Sequence, residues 1–82
     1  MEKNEVFTKV VTIVTPFCKN AEALKQVNSN SRFLEDLNIN SARLVDIILS
    51  MEDNFGLEVD DATADKMRTV GDAVNFISSK LN

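Results

Sequence analysis

The run DLNINSARLVDIILSMEDNFG, residues 36–56, decides the fold. Ile47, Ile48, Met51 and Phe55 fall on one face of a helix, at spacings of three and four. Arg43, Asp46, Ser50 and Asp53 fall on the opposite, polar face. Asn40 and Ser41, both good N-cap residues, open this helix, and Gly56 in the C′ position closes it after Phe55. Ala42, Val45 and Leu49 add a second apolar row at i, i+3 and i+7. One helix of a small bundle rarely needs that much apolar circumference for its core. The surplus is either wider burial or a contact surface.

Upstream, Val6, Phe7, Val10, Val11, Val14 and Phe17 form a helical stripe in a segment from about Glu5 to Cys18. The same segment is rich in β-branched residues, so a strand is its local alternative. Pro16 should kink or end it. Residues 19–40 form a long first loop. Within it Ala21–Val27 allows a helical turn or two, and Asn28–Ser31 should be irregular because its side chains compete for backbone hydrogen bonds. Phe33, Leu34 and Leu37 are the residues expected to pin it. Downstream, Asp61–Lys66 reads as a short helix capped by Asp60 or Asp61. A last helix starts at Thr69, whose spacing to Asp72 resembles a capping box. Val70, Ala73, Val74, Ile77 and Leu81 continue its apolar face, broadened by Phe76. The expected fold is all-α: three long helices and one short one, with a long first loop, as a single domain over residues 1–82.

Composition removes several function classes. Eighty-two residues bury only about 60–65% of the unfolded surface, enough for one compact core. With no His and one Cys, the usual zinc and nucleophile–base constellations cannot be assembled, so neither a metal nor a catalytic site is expected. Cys18 allows no internal disulfide, which favours a reducing compartment. There is no Tyr or Trp to stack on bases. The net charge is −4, and residues 33–82 hold ten acidic and four basic side chains, an excess of 10 − 4 = 6 negatives. That surface repels nucleic acid and suits protein partners with basic docking patches. No apolar run approaches eighteen residues, and Met1–Glu5 lacks the start of a signal peptide, so no membrane insertion and a cytoplasmic location are expected.

The segment Asp36-Leu37-Asn38-Ile39-Asn40-Ser41, followed by Asp46 and Glu52-Asp53-Asn54-Phe55, resembles the attachment region of acyl carrier proteins. That family's pattern is Asp-Leu-Gly-x-Asp-Ser-Leu, then a helix ending in acids and Phe. The resemblance continues without a gap through Val59-Asp60-Asp61, Ala64-Asp65-Lys66 and Thr69-Val70 to Ala73, Val74 and Ile77, covering about residues 31–78. It implies a carrier, acted on by enzymes and not itself one, with phosphopantetheine donated by coenzyme A and attached to Ser41 by a phosphopantetheinyl transferase. The arm's thiol would carry acyl thioesters in fatty acid, lipid or polyketide-type biosynthesis. The resemblance makes Asp46, Glu52 and Asp53 candidates for docking against basic patches, with Val45 and Leu49 as apolar contacts beside them. It also implies a core, soft at Met51 and Met67, that can open to an acyl chain. A monomer is expected.

The chain departs from the family pattern around Ser41. Asn38 replaces Gly, and Asn tolerates left-handed backbone better than most residues. Asn40 replaces the Asp before the serine, Ala42 replaces the Leu after it, and Arg43 places a positive charge on a face that is largely acidic in the family. Arg43 could pair with Asp46 at i, i+3. These changes share one recognition surface, which implies a specialised carrier with dedicated partners. An aminoacyl or peptidyl carrier is an alternative, although its motif usually has Gly-Gly before the serine. A second alternative is an unmodified helical adaptor.

Overall fold

A computed structural model describes residues 2–81. Its helices are α1 (Lys3–Val14), α2 (Ala21–Lys25), α3 (Ser41–Phe55), α4 (Asp61–Lys66) and α5 (Val70–Leu81), with a 3-10 turn at Thr15–Phe17. The three long helices and the short α4 match the expected architecture, and the turn or two expected after Ala21 is α2.

Helical periodicity overrides β-propensity in α1, because Val6, Val10 and Val14 at i, i+4 and i+8 all become fully buried on one face. Each such burial contributes on the order of 1.5–3 kcal/mol, more than the few tenths a β-branched residue costs a helix. Thr8, Thr12 and Thr15 donate their hydroxyls to the carbonyls of Asn4, Thr8 and Val11, so the polar β-branched residues are satisfied within the helix. The α-helix begins two residues before the expected start and stops at Val14, short of Cys18. Pro16 has no N–H to extend the ladder, and the chain tightens into the 3-10 turn.

The long first loop is ordered by two devices. Asn28 and Ser31 close it locally: the Asn30 N–H donates to Asn28 Oδ1 at 2.8 Å, and the Asn28 N–H donates to Ser31 Oγ at 3.0 Å. The loop also caps α5. Ser31 and Ser29 carbonyls accept from the N–H groups of Val70 and Gly71, both at 2.9 Å, and the Phe33 N–H donates to the Arg68 carbonyl. Helix N–H groups that have no intrahelical partner are thus satisfied by the loop. At Gly71 the approach is so close that a Cβ would lie 2.7 Å from the Ser29 carbonyl oxygen. The Thr69–Asp72 capping box forms as expected, each partner bonding the other's backbone N–H.

Two of the three expected pins hold. Phe33 and Leu37 are buried, but Leu34 is 41% exposed. The Asp36 and Leu37 N–H groups both donate to the Arg32 carbonyl, making a helix-like turn. In such a turn residues i and i+4 share the inward side, and Leu34 rotates outward. Ile39, 3% exposed, takes the third inward place. The core comprises these residues, the α1 valines, Ile47, Met51 and Phe55 of α3, Met67, and Val70, Ala73, Val74 and Ile77 of α5.

Candidate functional site at the start of α3

The segment leading to Ser41 is held on both sides of a sharp turn. Leu37 and Ile39 are buried, and the Ile39 N–H donates to the Phe33 carbonyl at 3.1 Å. Asn38 between them stands at φ 55°, the one non-glycine with positive φ among the described residues. The left-handed geometry expected of Asn at this position is therefore adopted. Cys18 is half-buried and donates its thiol to the Leu37 carbonyl at 2.9 Å. This contact ties the end of the first helical segment to the loop that presents Ser41.

Asn40 is the N-cap: its Oδ1 accepts from the Ala42 N–H at 2.9 Å, and its carbonyl accepts from the Arg43 N–H at 2.8 Å. Ser41 is therefore not the cap but the first helical residue. It is exposed, and its hydroxyl forms no hydrogen bond among the described residues. The helix end retains its positive macrodipole beside this hydroxyl, although Asn40 has taken the Ala42 and Arg43 N–H groups. A phosphodiester carried here would gain about 0.3–1 kcal/mol from the dipole. The residues thus fit an arm that must leave the surface: an accessible, unengaged hydroxyl on the first residue of a capped helix.

The other expected site residues line α3 unequally. Val45 and Leu49 are 61% and 53% exposed, which settles the second apolar row as surface. Ala42 and Asp53 are exposed beside them. Arg43 and Asp46 form the expected i, i+3 pair, Nη1 to Oδ2 at 3.2 Å. Glu52 is half-buried, and its Oε2 accepts from the Val59 N–H at 3.0 Å, which fastens the turn after α3. Of the three acids, only Asp53 is both exposed and unengaged. Ser41 and Asp53 are twelve residues apart, about 18 Å along the helix axis. Gly56, at φ 64°, ends α3, and the Leu57 N–H donates back to the Glu52 carbonyl.

On the other side of α3, a groove of about 540 Å³ opens between the loop and α4, its apolar lining formed by Phe33, Leu34, Leu44, Ala64 and Met67. Arg32 at its rim holds Asp36 by two hydrogen bonds of 3.1 Å and also pairs with Glu35. The Arg32 side-chain hydrogen bonds, seconded by its backbone N–H, hold the Asp36 carboxyl below the usual carboxylate range.

A family model described as "Phosphopantetheine attachment site" matches residues 9–77. The chain belongs to the acyl carrier protein family. It is 40% identical over 80 residues to the acyl carrier protein of Lactobacillus acidophilus, covering 96% of each chain. It is 38% identical to that of Thermotoga maritima, covering 96% of this chain and 95% of the relative. The solved acyl carrier protein of Enterococcus faecalis superimposes with a TM-score of 0.79 at 35% identity, over 96% of this chain and 98% of that one. The family's prosthetic group is a covalently attached phosphopantetheine, which supplies the thiol that no side chain at this helix start offers.

Proposed function

We propose that this protein is an acyl carrier of fatty acid or related lipid biosynthesis, with its phosphopantetheine arm on Ser41. The observation that carries the reading is the state of that hydroxyl: exposed at the first position of α3, released from capping because Asn40 performs it. In the loading step Ser41 Oγ bonds to the β-phosphorus of coenzyme A and 3′,5′-ADP leaves. The serine proton goes to a base of the transferase, since the chain has no His and, among the described residues, no side chain is bonded to Ser41. The protein acts as a carrier on which other enzymes work, and those enzymes approach along α3, over Val45 and Leu49, with Asp53 meeting a basic side chain. The apolar groove beside Leu44 and Met67 gives a thioester-borne acyl chain a place out of water. A single cytoplasmic carrier domain acting as a monomer accords with the acidic surface. No helix among the described residues is long and apolar enough to cross a membrane.

The departures at Asn40, Ala42 and Arg43 support a carrier specialised for its own partners: N40D/R43D should be used better by general fatty acid enzymes. The central test is incubation with coenzyme A and a broad-specificity phosphopantetheinyl transferase, followed by intact mass. One arm should be added to the wild type and none to Ser41→Ala. No addition with any transferase would leave the chain an unmodified helical adaptor.

A further inference from the structure

On the flank of the α3 start lies a shallow groove of about 390 Å³, lined by Pro16 and Phe17 of the 3-10 turn, Lys19 beyond it, and Asn40 and Arg43. No carboxylate lines it. Lys19 is exposed and makes no salt bridge among the described residues. Among the described residues Arg43 pairs only with Asp46, both side chains remaining about half or more exposed, 65% and 47%. Such exposed pairs hold their members weakly, so the guanidinium is free to turn to another anion. Phe17 packs against the core and gives the groove an apolar floor. The Cys18 thiol on the Leu37 carbonyl fixes the segment bearing Lys19 against the loop leading to Asn40. The groove thus has two cations from separate elements, an amide and an apolar base, in a molecule of net charge −4.

We infer that this groove is a docking subsite for an acidic side chain next to an apolar one on the enzymes that act on the carrier. The inference rests on the carrier reading and deepens it by naming the partner's chemistry. Charge complementarity commits the occupant: with Lys19 and Arg43 facing it and no acid in its lining, the groove rejects a basic patch. Together with Asp53, ten residues and about 15 Å from Arg43 along α3, it gives the face a polarity. A partner must place its acid near the arm and its base at the far end of α3. Reversed docking would oppose like charges at both ends, so the gradient sets orientation as well as identity.

The test uses isotope-labelled protein, apo and holo, the holo form first verified by intact mass so that failure of loading is seen separately. Each is titrated at equal ionic strength with the amidated peptides Asp-Leu-Asp-Leu and Lys-Leu-Lys-Leu. The acidic peptide should move the amide resonances of residues 17–19 and 40–44, and the basic one should not. Its apparent Kd should rise severalfold between low and 0.3 M salt, as screening shortens the range of exposed charges. In the double variant K19Q/R43Q the shifts should fall at least fivefold, while the rest of the spectrum reports an intact fold. Equal response to both peptides, no response to either, or an unchanged response in the double variant would overturn the subsite. Binding by the apo but not the holo form would mean that the arm's own phosphodiester fills the groove, and would also contradict it.

Discussion

Three residues around Ser41 have separable duties. Asn40 caps α3 by accepting the Ala42 N–H, and its replacement by Ala should cost about 1 kcal/mol of unfolding free energy, read from urea denaturation. The change should leave Ser41 loadable, because the hydroxyl takes no part in the cap. Asn38 meets a backbone demand, φ 55°, that Gly meets at least steric cost. Asp36 links pH to stability. Its carboxyl is lowered in the folded state, so the stability it contributes is complete above the unfolded carboxylate pKa and is lost as pH falls through the folded value. Asp36→Asn should therefore weaken the protein at neutral pH and narrow its difference from wild type at the acid end. Urea midpoints measured across that range check the sign, and a difference that grows on acidification would be inconsistent with the Arg32 pairing. These duties were unequally legible in the sequence. The left-handed turn at Asn38 was readable from the motif, but the choice of Asn40 over Ser41 as cap was not, because both residue types cap equally well. Only the chain's entry angle decides between them.

At the scale of elements, α3 was almost fully legible: its face, its cap region and its Gly56 stop all follow from a 3.6-residue period and terminal chemistry. What the period could not say was whether Val45 and Leu49 met a neighbour. That depends on where α1 packs against α3, and the buried face it meets is that of Ile47 and Met51. Because Leu49 is half in water, Leu49→Asn should cost only about 1–2 kcal/mol, from half a burial and the poorer helix propensity of Asn, while slowing acyl transfer by partner enzymes severalfold through KM. A stability loss of several kcal/mol would place Leu49 in the core instead. Glu52 shows the opposite lesson. It reads as a docking acid from the sequence, but the turn folds back and offers it the Val59 N–H, a contact seven residues away that periodicity does not foresee. The end of the first helix, by contrast, was legible at Pro16, which stops α1 at Val14 although the apolar stripe runs on to Phe17.

At the scale of the whole molecule, the first loop and α5 are mutually dependent. The loop carries the Ser29 and Ser31 carbonyls to the start of α5, and Gly71 admits the approach. Gly71→Ala should lower the thermal midpoint, with a cost of about 1–3 kcal/mol, since backbone and not a flexible side chain meets the added methyl. No loss would mean that the loop can retreat without penalty. Nothing in the sequence marked Gly71, because its requirement comes from a residue 42 positions away. The fold class, by contrast, was legible from three periodic segments, and the attachment region from matched residues spread over two loops and three helices. Lys19 was invisible as a site residue for the same reason as Gly71: it reaches the α3 flank only once the 3-10 turn and the loop are packed together.

The most direct test of the central claim follows from the sequence itself. Trypsin, cutting after Arg32 and Arg43, releases residues 33–43, in which Ser41 is the one hydroxyl-bearing side chain. After loading from coenzyme A, tandem mass spectrometry should find the phosphopantetheine on this peptide and its loss as a diagnostic fragment. An unmodified 33–43 peptide, with the arm absent or on the segment that holds Ser50, would contradict the assignment.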